Sequence, residues 1–489
     1  MNKEYRNHFC TMIINIIKEL RTFIAFAIVI LIKVTTSKAI IICGLMCGYL
    51  FIKNFFKWRT TKFTIENGML NYNSGIVSKQ RVSVPIDKIT TIDLEQDLFE
   101  RIFNVYKLKI DSGSLGLNKD GSEIKIVLKK KSAFVIREVL RNNTYDYDED
   151  VIYEKISHEK EYDKVSEQPI NKLTVKNKEL FLSAVTGNNL AYGIGLLVAV
   201  RKGLDKIKDI LKVDIASKFS KYKHVAKFDD YSMLYIIYFI LGIFILFLIV
   251  SIACSVIGTI IKYYGFSVYR KNNTIFIEYG LFNKKSYSLH VENIHAIKLK
   301  QNLIKQKFNL YRIEVATVGY GDEDSEEAIL YPIANKKKLQ NIIDSLIPEF
   351  KYNGELNKEP KTAMIKYMML PTVITILICS LVSFIKIKLS FSFILLPIVM
   401  INRYLNYKNA GIGFNDDIAV FSSKGFRKET IYIKIQSIQS ISMSSNYFQR
   451  RKKLCTYNID FHSSNLIDIV EIKHLENSYF RKLEDKIDF

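Results

Sequence analysis

Three short basic runs are the residues of this sequence best suited to chemistry. They are Lys129-Lys130-Lys131, Lys336-Lys337-Lys338 and Arg450-Arg451-Lys452-Lys453. Such runs suit anionic headgroups, because each Lys or Arg near an anionic leaflet contributes about 1 kcal/mol. The plainer alternative is a solvated charge run, and position relative to a bilayer separates the two. No catalytic constellation competes with them. The chain has no phosphate-cradling Gly-rich loop ending in Lys-Ser/Thr, no G-x-S-x-G and no H-E-x-x-H. The expectation is therefore a non-enzyme with no catalytic residue and no cofactor.

Metal chemistry is equally thin. His290 and His295 stand at i, i+5, which on a strand points them to opposite faces. Cys43 and Cys47 are at i, i+4 with no histidine beside them, and most of the six cysteines lie in apolar runs. Gly319–Asp324 is acidic but lacks EF-hand spacing, so it reads as a hairpin loop. No metal site and no disulfide are expected.

The elements that position the basic runs recur. Pro85–Ser112 reads as a strand, a short helical turn and a second strand, and His290–Thr317 repeats it. Ile89-x-x-Ile92-x-Leu94 matches Ile294-x-x-Ile297-x-Leu299, and Phe103-Asn104-Val105-Tyr106 matches Phe308-Asn309-Leu310-Tyr311. A third copy runs from Ile438-x-x-Ile441-x-Met443 to Arg450. Repeats set the domain count, and here they give three modules. Gly75, Gly280 and Gly425 precede the three copies, and helical patterns at Ser132–Asn142, Lys336–Leu346 and Glu476–Lys486 close them.

Long apolar stretches separate the modules. Tyr231–Ile261 carries no charge over 31 positions. Leu20–Val34 with Ala39–Ile52, Leu180–Val200, and Tyr367–Ile385 with Leu389–Asn402 complete the set, and no one soluble core would hold them all. Lys53 is expected to snorkel beside interfacial Phe55, Phe56 and Trp58. Six crossings in three hairpins would put every module on one side, and flanking Lys62, Lys262, Arg403 and Lys408 favour the cytoplasm. One segment resists: Arg201–Asp230, a basic amphipathic helix pattern with nine Lys/Arg and five Asp, would then lie outside. If Leu180–Val200 failed to cross, that segment would return to the cytoplasm and the modules would part company.

The domain reading is hairpin 1 over 1–59, module 1 over 60–144, and a charged linker over 145–175. Hairpin 2 follows over 176–263 with its basic insert at 201–230. Module 2 covers 264–348, a linker 349–363, hairpin 3 364–407 and module 3 408–489.

The strand, glycine, basic strand, Pro/His-x-x-x-Ile-x-x-Ile, Gln, Leu, Phe-Asn order resembles bacterial pleckstrin-homology-like (PH-like) domains of membrane proteins, and three such units behind hairpins resemble YdbT-type multi-pass proteins. Gly75, Pro85, Ile89, Ile92, Gln96, Leu98, Arg101 and Phe103 carry it, with Gly280, Ile294, Ile297, Gln301, Leu303 and Phe308 in the second copy. Asn104 and Asn309 stand where the family often has glycine. The third copy lacks the glutamine and has Lys452 for the phenylalanine. The resemblance implies a multi-pass helical membrane protein with three mainly-β modules, each a bent seven-stranded sheet or barrel capped by a C-terminal helix. It implies no enzyme.

The function expected is an integral protein of the bacterial cell membrane whose cytoplasmic modules bind anionic lipid headgroups or protein partners. A second PH-like membrane protein or a second copy is the partner expected, and a role in envelope maintenance or resistance to membrane-active peptides would follow. Gln96, Arg101 and Gln301 are the polar candidates for a module edge. The alternative is a transporter or its accessory subunit, with Asn188-Asn189, Pro371 and Pro397 as breaks around a path. Net charge of +22 alone would admit nucleic acid, but the charge is spread over linkers and membrane flanks without a recognition motif.

Overall fold

The computed structural model describes residues 4–19, 36–66, 68–75, 79–89, 91–111, 123–142, 172–187, 198, 233–317, 328–385, 387–463 and 466–486. The linker Tyr145–Asn171, the stretch 201–230, Asn188-Asn189 and the Gly319–Asp324 loop lie outside them.

Each repeat builds two antiparallel half-sheets and a capping helix. In the first repeat β1 (Glu4–Arg6), β2 (Lys62–Glu66), β3 (Met69–Ser74) and β4 (Gln80–Pro85) form one half. β5 (Thr91–Gln96), β6 (Val105–Asp111) and β7 (Glu123–Lys129) form the other, followed by the helix Lys130–Asn142. The second repeat has β8 (Leu173–Thr174), β9 (Ser267–Lys271), β10 (Thr274–Tyr279) and β11 (Lys284–His290), then β12 (Ile294–Asn302), β13 (Leu310–Thr317), β14 (Ala328–Asn335) and the helix Lys336–Leu346. The third has β15 (Asn357–Lys358), β16 (Gly411–Phe414), β17 (Ile418–Ser423) and β18 (Arg427–Lys434). After these come β19 (Ile438–Ser444), β20 (Leu454–Ser463), β21 (Leu466–Glu476) and the helix Ser478–Glu484.

Seven strands per repeat match the expectation, but they do not stay within one module. β5 pairs with β11 and β12 with β18, so two seven-stranded sheets each span two repeats. A four-stranded sheet β1-β2-β3-β4 and a three-stranded sheet β19-β20-β21 remain at the ends. The cores interlock accordingly. Ala296 and Ala316 of the second repeat line the third core with Phe421, Tyr457, Ile459 and Phe461. Ile418 and Val420 of the third repeat line the second core with Tyr287, Ile297 and Leu299. Full burial of a side chain such as Ile418 or Val420 is worth about 1.5–3 kcal/mol, so neighbouring modules stabilise one another.

The opening strand of each first half-sheet lies before its hairpin. β1 pairs with β2, β8 with β9 (Leu173 opposite Val268) and β15 with β16 (Asn357 opposite Ile412). β8 and β15 thus fall within the stretches read as linkers, and each hairpin is an insertion inside a sheet.

Among the described residues, three helices are long and apolar enough to cross a membrane, at Ile41–Thr60, Leu241–Tyr263 and Lys361–Ile385. The helix Met233–Tyr263 has 31 residues; at about 1.5 Å per residue it exceeds a hydrocarbon core of about 30 Å. The run 387–394 feeds the helix Leu395–Asn409, which returns alongside Lys361–Ile385. Two expectations change here. Lys53 has a partner the sequence did not suggest, Glu19 at 3.0 Å. Pro371 lies inside a continuous helix and Pro397 in the first turn of another, where no backbone donor is needed, so neither breaks a helix.

Candidate membrane-facing turns

The turn joining the first two strands of each second half-sheet is built alike in all three repeats. It holds a short helix, Leu98–Ile102, Leu303–Lys307 or Tyr447–Arg450. Asn302 Oδ1 accepts from Lys305 N at 3.0 Å and Asn446 Oδ1 from Gln449 N at 2.8 Å, while Asp97 caps the first. These caps satisfy donors that a helix start leaves open. Three residues on, the side chain is buried: Glu100 0%, Lys305 8%, Gln449 5%. Glu100 meets Lys107 at 3.1 Å, and Gln449 Nε2 donates to Thr456 Oγ1 at 3.1 Å. Burial, then the Arg312 charge, pushes the Lys305 ammonium down to about 8.

Each turn ends in the left-handed region, at Asn104 (φ 52°), Asn309 (φ 50°) and Lys453 (φ 54°). Asparagine tolerates this conformation where most side chains do not. That accounts for asparagine where glycine was the family's choice. The next residue pairs with the end of the strand that leads into the capping helix: Val105 with Lys129, Leu310 with Asn335, Leu454 with Glu476. Turn and capping-helix start therefore form one edge.

The basic residues reach that edge by different routes. In the first repeat Lys129 and Lys130 are exposed beside the exposed Arg101. In the second, Lys336 and Lys337 are exposed, while Lys338 is engaged with Glu179 at 2.7 Å and lies over the Tyr331 ring. In the third, no lysine opens the capping helix, but Arg450, Arg451, Lys452 and Lys453 are all exposed in the turn itself. Lys131 is half-buried and has its own interactions.

Gln96 and Gln301 are not edge groups available to a ligand. Gln96 Nε2 donates to Val105 O at 3.0 Å and Gln301 Nε2 to Leu310 O at 2.9 Å, both buried. They hold the turn shut.

Residues that sequence reasoning missed surround the charges. Leu98, Phe99, Ile102 and Phe103 are exposed, Ile102 by 75%. So are Leu303, Ile304 and Phe308, and Tyr447 and Phe448. The signal was present as large apolar residues on both sides of a helix too short to bury them. Each turn or the strand beside it lies against helical segments that adjoin or accompany the apolar helices. Cys10 and Ile14, in the helical run 10–19, pack on Val105 and Val127. Asn302 Nδ2 donates to Thr186 O, and Asn409 Nδ2 to Gln306 Oε1 at 3.2 Å. Lys366, five residues into its helix, lies 4.9 Å from the Phe448 ring centroid. Ser255 Oγ donates to Ala184 O at 3.1 Å, which holds the helix Asn177–Val185 beside the helix Met233–Tyr263.

His290 meets Thr274, and His295 meets Ser437 and the His462 ring; no group of three or more metal-ligating side chains occurs among the described residues. What gathers at these turns is charge and apolar surface at the foot of membrane helices. Comparison with known families agrees with the three repeats, because the bacterial PH domain matches at residues 21–144, 231–348 and 369–488. The chain belongs to the bacterial PH domain family. It is 26% identical over 437 residues to the UPF0699 transmembrane protein YdbT of Bacillus subtilis (strain 168), covering 88% of this chain and 85% of that protein. It is a YdbT-type PH-like membrane protein, and each family match begins in the apolar stretch of a hairpin, not after it.

Proposed function

We propose that this is a non-enzymatic, multi-pass protein of the bacterial cell membrane whose cytoplasmic PH-like modules hold anionic lipid headgroups. The observation that carries the reading is the pairing of exposed apolar and exposed basic side chains on all three turns, at the foot of the membrane helices. Phe99, Ile102, Phe308 and Phe448 would enter the interfacial layer, while Arg101, Lys129, Lys130, Lys336, Lys337 and Arg450–Lys453 meet lipid phosphates. Three modules tied by shared sheets would act on the membrane together, which suits an envelope-maintenance role.

Sheet pairing supports the six-crossing topology. β8 and β9 are neighbours, so the chain between Thr174 and Ser267 leaves and re-enters on one side and crosses an even number of times. With the helix Met233–Tyr263 crossing once, this favours the second crossing read from the sequence at Leu180–Val200. Pairing of β1 with β2 and of β15 with β16 asks the same of the other hairpins.

The full chain, reconstituted with an environment-sensitive fluorophore on Ile102→Cys or Phe448→Cys, tests the reading. In vesicles containing anionic phosphatidylglycerol the label should blue-shift relative to pure phosphatidylcholine. The triple change Arg101→Gln, Lys129→Gln, Lys130→Gln should remove the difference at position 102. Equal, water-like emission in both lipids would refute lipid contact.

A further inference from the structure

The two internal joints follow one rule. At each, a first strand of one repeat's second half-sheet pairs antiparallel with the last strand of the next repeat's first half-sheet. The register is the same: Ile92 lies opposite Ser288 and Ile297 opposite Tyr432, each partner being six residues before its own repeat's first isoleucine, Ile294 or Ile438. β4 and β19 are the corresponding strands left over, and among the described residues neither has a partner on its outer side. The sheets they end have four and three strands, the two halves from which each internal seven-stranded sheet is made.

Applying the same register places Ile441 opposite Ser83, Ser442 opposite Val82, Met443 opposite Arg81 and Ser444 opposite Gln80. Side-chain alternation then matches the internal joints. Polar Ser286 and Ser288 face apolar Leu94 and Ile92, while apolar Tyr287 faces Asp93. In the same way polar Arg81 and Ser83 would face Met443 and Ile441, and Val82 would face Ser442. A one-residue slip would turn every side chain to the wrong face.

Charge keys the joints individually. The first sets Glu95 opposite Lys285 at 3.7 Å, with Lys109 at 3.2 Å from Glu95. The second reverses the signs at the same positions: Lys300 opposite Glu429 at 4.0 Å, with Glu314 at 2.6 Å from Lys300. At the unpaired edges these positions are Ser444, Gln80 and Asn458, all neutral. β19, Ile438–Ser444, carries no charge and no proline to guard its edge, the usual devices of a strand meant to stay single.

We propose that β19 of one copy pairs with β4 of a second copy, in this register, joining chains head to tail in the plane of the membrane. The chain supplies both halves of the joint, neutral at the keyed positions although β4 also carries Arg81 and ends in Pro85, whereas the charge-keyed edges are already filled within it. Because the interface is heterologous, repetition gives a closed ring or an open row. This goes beyond lipid binding and stands or falls separately from it.

The test uses the full-length protein in membranes. Copies carrying Ser83→Cys and copies carrying Ile441→Cys, differently tagged and co-expressed, should form a mixed disulfide under mild oxidation, since opposed residues have Cα atoms about 4.5–5.5 Å apart. Ser83→Cys with Ser442→Cys should cross-link far less, because the side chains face apart. Gln80→Lys combined with Ser444→Lys should lower the yield about fivefold or more, and Gln80→Glu with Ser444→Lys should restore it. Restoration excludes unfolding as the cause of the loss. A wild-type chain that is monomeric by mass photometry in nanodiscs and gives no mixed disulfide would overturn the proposal. So would β4 and β19 cross-linking only to a different PH-like membrane protein.

Discussion

Glu359 sits between β15 and the helix Lys361–Ile385, 6% exposed, with Oε2 unpartnered. Tyr367 Oη lies 2.8 Å from Glu359 Oε1 and 2.7 Å from Lys473 O. One hydroxyl hydrogen cannot serve two acceptors, so an ionised Glu359 leaves one of these contacts without a proton. A protonated carboxyl supplies it. Burial drives the same way and raises the Glu359 carboxyl to about 8 against the Tyr367 hydroxyl, which pulls it down. The sign follows from proton counting. Between the ordinary value of 4.5 and about 8 the folded state keeps a proton that the unfolded state has lost, so stability falls as pH rises through that window. At pH 7 the gap of roughly 2.5 units corresponds to about 3 kcal/mol, at about 1.36 kcal/mol per unit. Glu359→Gln keeps the shape and offers an amide N–H to Tyr367, so it should abolish that slope and raise stability at pH 7 by up to about 3 kcal/mol. Heat-induced unfolding in detergent from pH 5 to pH 8, with hydrogen exchange over 466–476 as a local reporter, measures both. Parallel pH profiles for the two proteins, or a variant less stable at pH 8, would refute the reasoning.

Lys453→Gly should stabilise the third repeat by about 1 kcal/mol, because a lysine at φ 54° carries a left-handed strain that glycine does not; thermal unfolding at constant pH reads it, and destabilisation would contradict it. Gln301→Leu should cost about 1–3 kcal/mol by leaving the Leu310 carbonyl buried and unpaired, with hydrogen exchange quickening at residues 303–310 before elsewhere.

Much of the scaffold was legible because it is written as repetition. The paired isoleucines at 89 and 92, 294 and 297, and 438 and 441 do lie at the start of each second half-sheet. Three apolar helices were legible from hydropathy alone, at Ile41–Thr60, Leu241–Tyr263 and Lys361–Ile385. The opening strands were not, since Leu173-Thr174 and Asn357-Lys358 are too short to show any period. Nor was the sharing of sheets, which depends on edges meeting across more than a hundred residues. Gln96 and Gln301 misled because a polar residue at a strand end is usually wet, and here each closes a turn. The basic runs were visible, but their apolar companions became meaningful only beside Thr186, Asn409 and Lys366.

Because each hairpin interrupts a sheet, synthesis and membrane insertion are bound to one order. β1 waits for β2 until the intervening chain has been made, and β8 and β15 wait likewise for β9 and β16. A hairpin that fails to insert leaves its clasp open and its module without a complete wall. β5 in turn stays bare until β11 emerges, and β12 until β18, so the chain zips from its start towards its end. Each internal joint thus closes only when the following repeat has folded, and β4 and β19 are the edges that no strand covers among the described residues.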